Sequence, residues 1–280
     1  MAKIETYKAK ASAKVALAVA NTTSPFTIEV RFLGGLTTKQ KNAFKAAADR
    51  WSSVIVGDLP SVMVDGEVID DLLILAQGQA IDGPGKILGQ AGPTRLRPAS
   101  AGKAAFLPAK GKMQFDTADL KQMEKDGTLN DVITHEMGHV LGIGTVWTNK
   151  NLLKGAGTSN PTFTGKGAMT EFGKLKGKGP TAVPVENTGG PGTADSHWRE
   201  TVFRNELMTG FVGASGNPMS RMTVGSLADL GYVVDLTAAE PYSLPNLVAL
   251  AEAGELAAPA TPKGIVLPNL PIVLPEDSLQ

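Results

Sequence analysis

The stretch LNDVITHEMGHVLGIGTVW, residues 129–147, constrains the architecture more than any other part of the chain. Leu129, Val132, Ile133 and Val140 recur at helical spacing. Thr128 and Asp131 stand at capping-box separation at its head, and Gly142 and Gly144 supply residues that end a helix. His135 and His139 are one turn apart and therefore share a face. Glu136 follows the first of them, rotated around the axis. These are two of only three histidines in 280 residues.

Two imidazoles at i and i+4 suit one metal ion. A catalytic zinc takes three protein ligands and keeps one position open for water. Such a site brings the water pKa toward ~7, and a neighbouring carboxylate, here Glu136, accepts the proton as the water attacks a carbonyl. The competing reading is a solvated or hydrogen-bonded histidine pair. The capped apolar helix, Gly142 three residues after His139, and the existence of a third histidine favour metal. Cysteine is absent, which excludes thiolate ligands and disulfides. The compact pattern HExxHxxGxxH would place a histidine at position 145, which is Thr145. His197 is the histidine that remains. Taken alone it reads equally as a surface residue before Trp198.

Around this helix, FTIEVRFL (26–33) alternates as a strand. TTKQKNAFKAAADRWSSVI (37–55) is an amphipathic helix with a capping box at Thr37 and Gln40. Its apolar stripe is Phe44, Ala47, Ala48, Trp51, Val54 and Ile55. DDLLILAQGQAI, KILGQA and GKMQFD read as further strands, with a turn-rich segment (92–109) between the last two. Asp116 or Thr117 caps a short helix, ADLKQMEKD. Residues 149–196 are rich in glycine, proline, threonine and lysine, show little periodicity, and read as a long mobile loop. Asn217 and Pro218 open a helix that Gly231 closes, and YVVDL reads as a short strand. The expected division is a mobile leader (1–24), an N-lobe with the active-site helix (25–144), a C-lobe with the long insertion (145–255), and a proline-rich extended tail (256–280).

HEMGHVLGIG, a long insertion, and then HWRETVFRNELMTG together resemble the leishmanolysin-like metalloproteases, metzincins whose third histidine is displaced by an insertion and followed by a methionine turn. The resemblance extends over about residues 26–236. It implies an α/β (α+β) fold with a mixed-sheet N-lobe, an active-site helix and an irregular C-lobe. It also implies His135, His139 and His197 as ligands of one Zn2+, Glu136 as the base, and Met208 as the turn methionine beneath the metal. The cysteine-rich, membrane-anchored character of the parasite members is not carried over. Gly210 stands where some metzincins place a tyrosine, so no tyrosine ligand is expected.

The expected function is a zinc-dependent metalloendopeptidase acting on polypeptide. An extended substrate would add to the N-lobe's edge strand, assigned to GKMQFD. The alternatives are a zinc hydrolase of small amides or esters and a non-catalytic binding protein whose zinc is structural, with Asp195 or Glu200 as a fourth ligand. Calcium at Asp65, Asp70, Asp71 or Asp82 has little support, because no EF-hand spacing is present. Lysine plus arginine and aspartate plus glutamate balance at 27 each, so nucleic-acid binding is not expected. No apolar run approaches the ~20 residues of a membrane span. No clear signal peptide is present, which leaves cytoplasmic location or export by a non-standard route.

Overall fold

The computed structural model describes residues 4–83, 85, 89–210, 215–252, 265–266 and 270–280. A mixed sheet carries the first half. Strand β1 (Glu5–Lys10) pairs antiparallel with β2 (Thr27–Phe32). Helix α1 (Thr38–Val54) crosses the sheet, and a small hairpin, β3 (Val62–Val64) and β4 (Glu67–Ile69), follows it. The chain then enters β5 (Leu72–Gln79), parallel to β2. Strand β6 (Gly89–Leu96) runs antiparallel to β7 (Pro108–Asp116), and β7 is parallel to β5. The order across the sheet is β1-β2-β5-β7-β6, with two short strands from the tail beyond β6.

The α1 boundaries follow from its capping box: the Gln40 amide donates to Thr37 Oγ1 at 3.2 Å, and the Thr37 amide to Gln40 Oε1 at 2.9 Å. Its stripe is buried against Ile28, Val30, Phe32, Ile74, Met113 and Phe115. Phe44 meets Phe115 edge-on at 5.9 Å and Phe32 at 6.1 Å. Each such side chain, fully buried, contributes about 1.5–3 kcal/mol. Asp116 caps α2 (Thr117–Asp126) by accepting from the Ala118 amide at 2.7 Å. Helix α3 (Leu129–Val140), carrying the HEMGH sequence, then packs beneath β6 and β7 beside α1.

The second half is built on short elements. Strands β8 (Leu153–Lys154), β9 (Thr162–Phe163) and β10 (Val183–Pro184) form a three-stranded sheet. Helix α4 (Lys166–Leu175) packs on α5 (Arg221–Leu230). Asp229 of α5 accepts from the Gly167 and Ala168 amides at 2.7 and 2.9 Å, filling the role of the cap that α4 lacks in its own sequence. Among the described residues, no helix is long and apolar enough to cross a membrane.

Several expectations are corrected. The segment read as a leader contains β1 and a helical stretch at Ala13–Ala20. The segment 149–196, read as a loop, holds β8, β9, α4 and β10. GKMQFD is not an edge: β7 is paired on both sides, and β6 lies outside it. KILGQA begins on 86–88, outside the described residues, and the segment read as turns continues β6 to Leu96. Thr128 makes no side-chain cap, since its backbone is already helical (φ −91, ψ −7), and the Asp131 carboxylate accepts from the Gly216 amide at 2.6 Å and Asn217 Nδ2 at 3.1 Å. Consequently Asn217 does not open α5. Ser220 does, accepting from the Thr223 amide at 3.2 Å. YVVDL forms only an isolated bridge, Ile55 to Val234. In the tail, β11 (Ile265–Val266) and β12 (Ile272–Val273) lie parallel along β6.

Candidate metal centre

Helix α3 presents His135 and His139 on one face, and His197 arrives beside them after the small sheet and α4. The Nε2 atoms converge: 3.1 Å between His135 and His139, 3.1 Å between His135 and His197, and 2.9 Å between His139 and His197. Every Nδ1 faces a backbone carbonyl. His135 donates to Leu207 O at 2.6 Å, His139 to Ile143 O at 2.9 Å, and His197 to Thr193 O at 3.0 Å. A carbonyl only accepts, so each Nδ1 holds the proton and each Nε2 offers a lone pair. Three lone pairs directed at one another repel, and a cation among them turns that repulsion into ligation. Around a tetrahedral zinc with bonds of ~2.0–2.1 Å, such nitrogens stand about 3.3 Å apart, close to the spacing here.

Burial keeps the imidazoles neutral. It takes His135 down to about 3, assisted by neighbouring His139, and His139 down to about 4. His197 is held well below its ordinary value by burial and by both other rings. Neutral imidazole is the ligating form.

Glu136 is buried, and burial raises its carboxyl well above the usual range. Oε1 lies 3.8 Å from His135 Nε2, while Oε2 has no hydrogen-bond partner. A buried, unsatisfied carboxylate oxygen is costly, and this one sits beside the converging nitrogens.

Two glycines shape the site. Gly138, between the histidines, lies so close to the next layer that a Cβ there would stand 2.7 Å from Met208 Sδ and 2.9 Å from Trp51 Cζ2. Met208 therefore packs directly against the helix that carries His135 and His139. Trp51 is anchored to the same helix by its indole, which donates to Thr134 O at 2.8 Å. Gly144 has φ +75, and a Cβ there would stand 2.1 Å from Ser196 O. The turn after α3 thus abuts the residue before His197, and only glycine fits that approach. Trp147 and Trp198, stacked at 4.9 Å, pack the same junction.

The structure brings together His135, His139, His197 and Glu136, with Met208 behind them. Asp195 and Glu200 are not in the histidine cluster. Asp195 instead accepts from the Gly157 amide at 2.8 Å. The aspartates considered for calcium gain no support: Asp65 pairs with Lys110 at 2.9 Å, and Asp71 accepts from Thr27 and Leu59. Asp70 and Asp71 do approach Asp58, whereas the Asp82 amide is held by the α2 cap, Asp116. The sequence reading missed the three orienting carbonyls and Glu206, a buried carboxylate in NELMTG. The only signal for Glu206 was a charged residue beside two apolar ones.

A family model described as leishmanolysin, Peptidase_M8, matches residues 103–249, just over half of the chain. That span contains all five residues named above and begins well after the start of the resemblance read from the sequence. A leishmanolysin homolog of Crithidia fasciculata is 27% identical over 133 residues, covering 45% of this chain and 20% of the relative. The match thus spans about a fifth of that curated relative's length.

Proposed function

From the premise that this chain belongs to the leishmanolysin peptidase family, we propose that it is a zinc-dependent metalloendopeptidase of metzincin type. The observation that carries the reading is the convergence of three Nε2 lone pairs beside an unpartnered, buried Glu136 carboxylate oxygen. His135, His139 and His197 would hold the ion. When bound, zinc supplies Lewis acidity toward a water and toward the scissile carbonyl oxygen.

Glu136 accepts the proton of the attacking water and passes it to the leaving amine. Its burial suits this role, because a carboxylate removed from solvent binds a proton more strongly. The Leu207, Ile143 and Thr193 carbonyls hold the three rings in the tautomer that keeps Nε2 free. Met208 and Trp51 pack behind α3 and fix its height. Residues 25–144 and 145–255 are read as the two lobes, with the substrate cleft between them. Neither Asp195 nor Glu200, the carboxylates considered as a fourth ligand, is part of the histidine group, which supports an open position over a closed structural site. GKMQFD is not available to accept an extended substrate as a strand, because β7 is paired on both sides and β6, outside it, already carries β11 and β12.

The test is Glu136→Gln. It keeps size and hydrogen bonding but removes the base. The variant should bind zinc and unfold like the wild type, while cleavage of casein falls by ~10²–10⁴. Near-wild-type turnover with zinc in place would refute the mechanism. A peptide-library digest separates this activity from hydrolysis of small amides or esters.

A further inference from the structure

Glu206 lies two residues before Met208 and is completely buried. Its Oε2 accepts from the Met208 amide at 2.7 Å. Its Oε1 accepts from the Ser220 amide at 3.1 Å, from Ser220 Oγ at 2.6 Å and from Thr223 Oγ1 at 2.5 Å. The carboxylate thus gathers four donors from two chain segments. Burial raises its proton affinity while these donors oppose the rise. A carboxylate kept so far from water is costly unless its oxygens are satisfied, as they are here.

The Met208 N–H and the Leu207 C=O belong to one peptide unit. Glu206 holds the N–H end. The C=O end accepts the Nδ1–H of His135 at 2.6 Å. A charged acceptor at one end of a peptide polarises it and strengthens the carbonyl as an acceptor at the other. The second branch runs through Thr223, whose Oγ1 donates to Glu206 and accepts from the Trp198 indole at 2.8 Å. Trp198 follows His197 directly, and its own amide donates to Met208 O at 2.9 Å. One buried carboxylate is therefore connected to the backbone that orients His135 and to the residue that follows His197.

We propose that Glu206 is a positioning residue of the metal centre, fixing the Leu207–Met208 peptide that orients His135 and anchoring the segment that carries His197. The inference rests on the reading of the three histidines as metal ligands. Ser220 gives the contrast. It also bonds to Glu206 and caps α5, but it has no link of its own to a histidine.

The experiment compares Glu206→Gln and Ser220→Ala with the wild type, using zinc affinity by chelator competition and the visible spectrum of the cobalt-saturated protein. Whichever way the glutamine amide is turned, its NH2 faces either the Met208 amide or the α5 donors. Glu206→Gln should weaken zinc binding ten- to hundredfold, the range for groups that orient metal ligands, and should change the cobalt spectrum. Ser220→Ala should lower the unfolding temperature by loss of the α5 cap, yet leave zinc affinity within about twofold and the spectrum unchanged, since Glu206 keeps the Met208 amide, the Ser220 amide and Thr223 Oγ1. The proposal is overturned if Glu206→Gln binds zinc like the wild type with an unchanged spectrum. It is equally overturned if Ser220→Ala weakens zinc as much as Glu206→Gln. Where Glu206→Gln does not fold, Glu206→Asp keeps the charge and withdraws the carboxylate by one methylene. Unaltered affinity and spectrum in that variant overturn the proposal too. If the wild type itself takes up neither zinc nor cobalt, the metal-centre reading fails and this role fails with it. If the wild type binds both and the variants match it, only the role of Glu206 falls.

Discussion

Gly138→Ala tests whether Met208 and Trp51 set the position of the helix that carries His135 and His139. The new methyl carbon would lie 2.7 Å from Met208 Sδ, 2.9 Å from Met208 Cε and 2.9 Å from Trp51 Cζ2. Carbon atoms pack best at about 3.5–4.0 Å, so the neighbours have to retreat by roughly 0.8 Å. Neither has room. Met208 and Trp51 are both fully buried, and Trp51 can move only by straining its bond to Thr134 O. Overpacking of this kind costs about 1–3 kcal/mol, with three close contacts placing it near the upper end. Alanine's helix preference returns about 1 kcal/mol. The net loss is about 2 kcal/mol, or a fall of about 4–8 °C in the unfolding midpoint at this size. Because α3 carries two of the three proposed ligands, zinc retention under chelator should fall as well. Gly179→Ala is the control, since a Cβ there meets nothing within 4 Å. Thermal unfolding and metal analysis of the three proteins decide the matter. A Gly138→Ala protein as stable as the wild type, with zinc fully retained, refutes the packing argument.

His197→Ala should lose zinc to a chelator that leaves the wild type loaded, measured as metal per chain after dialysis; full retention removes His197 from the ligand set. In the metal-free protein, burial depresses His135 to about 3 and His139 to about 4, against about 6.5 in the unfolded chain. The unfolded state then takes up protons first, so stability is intact above pH ~6.5 and falls as the pH drops toward 4, each ring contributing up to about 1.4 kcal/mol per pH unit. Denaturant titrations of stripped protein across that range check the sign, and a flat profile contradicts it. Ending the chain before residue 265 removes both strands from β6 and takes Leu274 out of the cluster formed by Val62, Ile69, Leu73 and Ala109. One buried leucine is worth about 1.5–3 kcal/mol, so the midpoint should fall by at least about 3 °C, and an unchanged midpoint would show the tail is not docked.

What the sequence disclosed depended on how local the evidence was. Helix α1 was legible because both its cap and its stripe lie within 19 consecutive residues. Three histidines and no cysteine narrowed the candidates, but His197 taken alone read equally as a surface residue, and the resemblance carried by HWRETVFRNELMTG joined it to the pair. Asp131 shows the opposite case. Its spacing from Thr128 fits a capping box, yet the carboxylate serves Gly216 and Asn217, more than eighty residues away, and no local pattern reports that competition. Helix α4 escaped notice because its N-terminal amides are satisfied by Asp229 and not by a neighbour in sequence.

Strand order was hidden for the same reason, although one residue held a clue that was misread. GQAGPTRL contains Pro93, and the turn-rich composition around it suggested a loop. A proline lacks the amide a central strand must donate, but an outer strand tolerates it. In β6, Pro93 faces Gly111 of β7 just where the register shifts toward Arg95. Pro93 falls between the parts of β6 that pair with β11 (Gly89 and Gln90) and with β12 (Arg95 and Leu96), so neither tail strand is in register with it. GKMQFD, with no proline and nearly every residue buried, can form bonds on both sides, and it does. The segment that looked like a strand thus lies deep in the sheet, and the one that looked like a turn lies over α3 between β7 and the short tail strands.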